Sequence, residues 1–103
     1  MTAVDTTAAA LAAWRHREDV RDLAGLVAEA RTVDDLAFVR VETVAVVEVE
    51  KQRAGATRTP ALKALEAALI HLARGGRDVS MDTGRKLAGD YLADALRALE
   101  VTP

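Results

Sequence analysis

The chain has 103 residues, half of them apolar, and 14 Lys and Arg against 16 Asp and Glu for a net charge of −2, which implies one compact soluble domain spanning 1–103. Disorder is excluded by the apolar content, and a membrane span by the lack of any run near the roughly 18 uninterrupted apolar residues it requires. With no Cys, disulfides, thiolate metal sites and Cys nucleophiles are excluded, as a reducing cytoplasm would permit, and with only Trp14, Phe38 and Tyr91 as aromatics the core must be built from Leu, Val and Ala.

Residues 1–13 are rich in Ala and Thr but lack a basic leader, and Arg15 and Arg17 interrupt before a signal-like apolar core forms, so no targeting segment is expected. Thr6 or Thr7 can cap a first helix running to about Arg31, with Ala9, Ala13, Val20, Leu23, Ala24, Val27 and Ala30 on one face. Its outer face would carry the pairs Arg15 with Asp19 and Glu18 with Arg21. Gly25 within this run marks a bend or a close helix contact.

Thr32 followed by Val33, Asp34 and Asp35 is a helix start, a capping hydroxyl ahead of carboxylates that complement the free N–H groups of a first turn. The stretch from Leu36 to Lys51 is ambiguous because its valines are β-branched and partly alternate with Arg40, Glu42, Glu48 and Glu50. As a strand, residues 38–50 would need to pair across a dimer. As a helix, their apolar side chains point nearly all round. The start signal and the stop offered by Gly55 favour helix.

Thr59-Pro60 starts a third helix, in which Leu62, Leu65, Leu69 and Leu72 form a seam that Gly75-Gly76 ends. Ser80 or Asp82 caps a fourth, with Met81, Ala88, Leu92, Ala95, Leu96 and Leu99 on one face and Lys86, Asp90, Asp94 and Arg97 on the other. The expected fold is an all-α bundle of about four helices.

Chemical constellations are weak. His16 lies on the first apolar stripe and reads as a packing histidine, whereas His71 falls opposite the leucine seam and reads as a surface residue. Glu42, Glu48 and Glu50 with Asp90 and Asp94 could face one another, but no Glu stands three residues before either His, as a bundle di-metal site requires. If the second helix is central, Glu42 or Glu48 needs a partner such as an Arg. Ser80, the lone Ser, sits at a cap without a Gly-x-Ser-x-Gly frame, and Gly75, Gly76 and Gly84 lack phosphate-loop spacing and read as turn and helix-end glycines. No catalytic residue, metal or cofactor is expected.

Charge is polarised along the chain: residues 1–50 carry five basic and ten acidic side chains, residues 51–86 eight and three, residues 87–103 one and three. If the two loops in 51–86 share one end of the bundle, Arg53, Arg58, Arg74, Arg77, Arg85 and Lys86 form a basic patch able to hold phosphates. That patch supports an alternative reading as a helix-turn-helix-like nucleic-acid regulator with residues 60–74 and 82–99 as its helices, although the 75–81 connection is long for that turn. The leading expectation is a non-enzymatic assembly module whose partner is itself or another protein, through Phe38, Val41, Val44, Val46, Val47 and Val49, because the second helix has more apolar directions than a small bundle can bury. The bias to Ala, Val, Arg and Asp over Lys, Ile and Asn resembles that of chains from high-GC genomes, and size and class are similar to those of phage-encoded assembly factors and regulators.

Overall fold

A computed structural model describes residues 3–101, and side-chain surroundings within 7–100. Four helices, α1 (Ala3–Glu29), α2 (Val33–Ala54), α3 (Pro60–Arg74) and α4 (Met81–Val101), form an all-α bundle in which each packs on its chain neighbour and α1 closes the ring against α4. Short connections make successive helices antiparallel. None of the helices is long and apolar enough to cross a membrane. Residues 38–50 lie within α2, so the strand alternative does not form: a helix satisfies every backbone group internally, which a single strand cannot do.

Local signals place most helix ends. Thr32 accepts from the Asp35 N–H at 3.1 Å, while Asp35 Oδ2 accepts from the N–H groups of Arg31 at 2.8 Å and Thr32 at 3.0 Å. These bonds, the one from Arg31 foremost, hold the Asp35 carboxyl below the usual carboxylate range. Gly55 ends α2 at φ 64°, a left-handed conformation that glycine adopts without strain. Thr59 caps α3 through the Leu62 N–H at 3.1 Å, and Ser80, rather than Asp82, caps α4 through the Thr83 N–H at 3.0 Å. At the other extreme α1 begins at Ala3, so Thr6 and Thr7 lie inside the helix rather than at its cap; interior threonines cost only tenths of a kcal/mol, too little to stop it.

The core is Leu, Val and Ala throughout. Val20, Leu23, Val27 and Ala30 of α1 meet Leu36, Val39, Val46 and Val47 of α2, with Leu62, Leu65, Ala68 and Leu72 of α3 and Ala88, Leu92, Ala95 and Leu99 of α4 completing it. Val46 and Val47, expected at a partner surface, are buried here because they share the side of α2 that carries Leu36, Val39 and Thr43. Gly25 makes no close helix contact, since a Cβ there would find nothing within 4 Å, and α1 continues through it without interruption. Gly25→Ala should therefore raise stability by about 0.5–1 kcal/mol through reduced freedom of the unfolded chain, read as a higher urea midpoint at unchanged slope.

α1 reaches past its neighbours. His16 is level with Glu50, four residues before α2 ends, and Arg21 pairs with Glu100 at the end of α4 at 3.2 Å. At about 1.5 Å per residue, the part of α1 ahead of residue 12 extends beyond both helices. Residues 8–12 are accordingly exposed, and the whole molecule measures 50 × 24 × 20 Å.

Candidate functional site

Eight large apolar side chains are exposed among the described residues, and seven of them belong to α1 and α2: Leu11, Trp14, Leu26, Phe38, Val41, Val44 and Val49. Only Ile70 represents the other two helices. On α2 the spacing of Phe38, Val41, Ala45 and Val49 draws them along one side, opposite Leu36, Val39, Thr43 and Val47. Val41 is 67% exposed and Phe38 56%.

A groove of about 350 Å³ runs between α1 and α2, with Leu26, Ala45, Val46 and Val49 for its apolar lining and Asp19, Asp22 and Glu42 for its rim. A smaller hollow of about 230 Å³ continues it past Leu26 to Phe38, beside Glu29 and Asp35. The surface is thus apolar along its length and acidic at its margins. Of the expected interface residues, Phe38 and Val49 line this surface, Val41 shares their side of α2, and Val44 is exposed one turn after Arg40, which lines the hollow between α2 and α3. Leu26 was not anticipated there, nor were Leu11 and Trp14 as exposed side chains elsewhere on α1, although all three fall off the Val20, Leu23, Val27 seam in the sequence.

At one end of the bundle lies a buried polar cluster. His16 is 2% exposed, and its Nε2–H donates to Glu50 Oε1 at 2.9 Å. Glu50, 3% exposed, also accepts from Arg53 at 3.1 Å and from the Thr59 hydroxyl at 2.7 Å, which ties α1, α2 and the cap of α3 together. His16 Nδ1 is buried without a protein partner. The carboxylate that goes inside is therefore Glu50, while Glu42 and Glu48 stay exposed; only Glu50 faces α1 and α3 at the level of His16 and Thr59. The arrangement fixes the three elements against one another, and among the described residues no third His, Asp or Glu joins His16 and Glu50 as a metal site would require. His71 is half-buried rather than a free surface residue, because its ring stacks on Tyr91 with centroids 5.3 Å apart and planes 5° from parallel.

The basic residues do not gather into one patch. Residues 55–59 and 75–80 connect opposite ends of the 15-residue α3, about 22 Å apart, so Arg53 and Arg58 lie far from Arg74, Arg77, Arg85 and Lys86. Five of the six have a carboxylate in reach: Arg53 pairs with Glu50, Arg58 with Glu66 at 2.9 Å, Arg74 with Asp78 at 3.6 Å, Arg85 with Asp82 at 2.8 Å and Lys86 with Asp90 at 2.9 Å. Arg85 further donates to the Ala30 carbonyl at 2.9 Å, closing the end of α1. Arg77 alone is unpaired, and with Arg40 it lines a shallow hollow of about 340 Å³ between α2 and α3. On α1, Glu18 pairs with Arg21 as expected, but Arg15 and Asp19 do not pair.

Comparison with protein-family models, with characterised proteins and with solved structures found no match to this chain.

Proposed function

We propose that this protein is a non-enzymatic assembly module that associates with copies of itself by burying the outer layer formed by α1 and α2. The observation that carries this reading is the one-sided distribution of exposed apolar side chains: seven on α1 and α2, one on α3. Contiguous apolar surface, such as Leu26, Phe38, Ala45 and Val49 line between these helices, marks interaction sites on small proteins. Burial of a Val or Phe side chain stabilises by roughly 1.5–3 kcal/mol, so a few such contacts offset the cost of association. The alternative of a nucleic-acid regulator draws less support, since five of its six cations are already matched by carboxylates. Kinship in role with phage assembly factors, and a cytoplasmic setting, rest on size, class and composition alone.

Light scattering after size exclusion tests the reading. A discrete oligomer is expected at low and at high salt, because apolar contacts survive screening. Val41→Asp combined with Val49→Asp should weaken association at least 100-fold, about 2.7 kcal/mol, with the helical circular dichroism retained. An unaltered chain that stays monomeric at both salts, up to several hundred micromolar, would overturn the assignment.

A further inference from the structure

Asp19, Asp22 and Glu42 at the α1/α2 groove have no cation within ion-pair distance, whereas most other surface carboxylates do, as in Glu48–Lys51, Glu66–Arg58 and Asp90–Lys86. The matching feature lies on the same helix. From Thr7 to Arg17, α1 carries no acidic residue, exposes Leu11 (62%) beyond the ends of α2 and α4 and Trp14 (49%) just before them, and includes Arg15 and Arg17, neither of which has a carboxylate partner. One region of this chain is thus an apolar groove with unpaired acids, and another is an apolar helical arm with unpaired bases.

We infer that the groove of one copy is occupied by the α1 arm of a second copy, and reciprocally, in a two-fold dimer. A two-fold operator sets the two α1 helices antiparallel, and the sequence of α1 suits that arrangement. Ala8, Ala12, Arg15, Asp19, Asp22 and Leu26 follow one another at intervals of 4, 3, 4, 3 and 4, so they share one side of the helix. Placing Arg15 opposite Asp19 of the other copy sets Ala12 opposite its Asp22 and Ala8 opposite its Leu26. Two Arg15–Asp19 contacts then flank the axis, and alanines meet the bulkier groove residues where close approach needs small side chains. Leu11 adds apolar area beside them. The opposite charges select this register over a parallel one, in which Arg15 would face Arg15. The inference rests on the self-association reading and names what fills its groove.

Two exposed-surface variants test it. Ala12→Glu with Arg15→Glu makes the contact side of the arm acidic, and Asp22→Lys with Glu42→Lys makes the groove basic. Each variant alone sets like charges against each other, and its dimer should dissociate at protein concentrations at least tenfold higher than for the unaltered chain, with unchanged helical circular dichroism. An equimolar mixture should regain the original affinity, since the acidic arm then meets the basic groove and the basic arm meets the acidic groove. If both variants associate as tightly as the unaltered chain while Val41→Asp with Val49→Asp does not, the arm does not occupy the groove and the broader reading stands. If both weaken but the mixture stays weak, the pairing of arm with groove is overturned. A monomeric unaltered chain removes the reading on which the inference rests.

Discussion

Glu50→Ala is expected to lower the unfolding free energy by about 1–3 kcal/mol, the cost of leaving a buried polar group without its hydrogen-bond partner. Glu50 is the acceptor for three donors from three places: His16 on α1, Arg53 one turn on in α2, and Thr59 at the start of α3. Truncation leaves the buried His16 ring with neither nitrogen partnered, since Nδ1 has no partner to begin with. Arg53 is partly exposed and can turn to water, so its loss contributes little. Against the 5–15 kcal/mol typical of a small domain, the loss is a large fraction of the total, and each kcal/mol lowers Tm by roughly 4–8 °C at this size. Urea unfolding measures it. Replacing both partners, His16→Leu with Glu50→Leu, should recover part of the loss, because the buried ring no longer stands unpaired and only the partly exposed Thr59 hydroxyl and Arg53 must turn to water. A Glu50→Ala midpoint within 1 kcal/mol of the unaltered protein would show that the cluster is solvated and contributes little.

Gly84→Ala is the second large effect, and it runs opposite to Gly25→Ala. A Cβ at Gly84 would lie 2.4 Å from Gly75 Cα, 3.0 Å from Gly75 N and 3.3 Å from the His71 carbonyl oxygen. All three are backbone atoms, so no rotamer change relieves the clash and the end of α3 must move away from the start of α4. Gly84 is thus a buried helix–helix contact residue one turn into α4, where a helix-end glycine was expected. Overpacking of this kind costs about 1–3 kcal/mol, and the upper end is expected because the same corner is tied by the Gly76 N–H to Val79 carbonyl bond at 2.8 Å. Gly75→Ala should cost less, since its closest contact is the end of the Leu36 side chain, which can rotate. Denaturant unfolding of the three variants should rank Gly25→Ala above the unaltered chain, then Gly75→Ala, then Gly84→Ala. An unperturbed Gly84→Ala would mean that α3 and α4 do not approach so closely in solution.

Much of the fold is legible along the chain because its causes are local. Thr32 with Asp35, Gly55, Thr59-Pro60 and Ser80 each satisfy or terminate backbone hydrogen bonds within a few residues, and each marks a helix end in the structure. α2 was the hard case for a good reason: six valines have strand character individually, and only the cap ahead of them and the lack of a pairing strand favour the helix they form. The length of α3 was also readable, and it already implied that Arg53 and Arg58 could not share a surface with Arg85 and Lys86.

The candidate surface was legible in part. That α2 has apolar residues in excess of one buried face follows from its sequence, and Phe38, Val41, Val44 and Val49 are indeed exposed. Which valines are left over does not follow, because Val46 and Val47 differ from Val44 and Val49 only in the direction they face once α1 and α3 are in place. Glu50 looks like any other surface carboxylate until His16, 34 residues away, and Thr59 are brought against it. The cations behave likewise: counted along the chain they make a basic segment, but carboxylates one helical turn away or on another element neutralise most of it.

The sequence by itself determined the number of helices, most of their ends and the Leu, Val and Ala character of the core, since capping and periodicity act over three or four residues. The tertiary structure decided which apolar faces stay uncovered, which carboxylate is buried and which charges remain unpaired, because burial and pairing depend on distances between side chains that only packing of the helices sets.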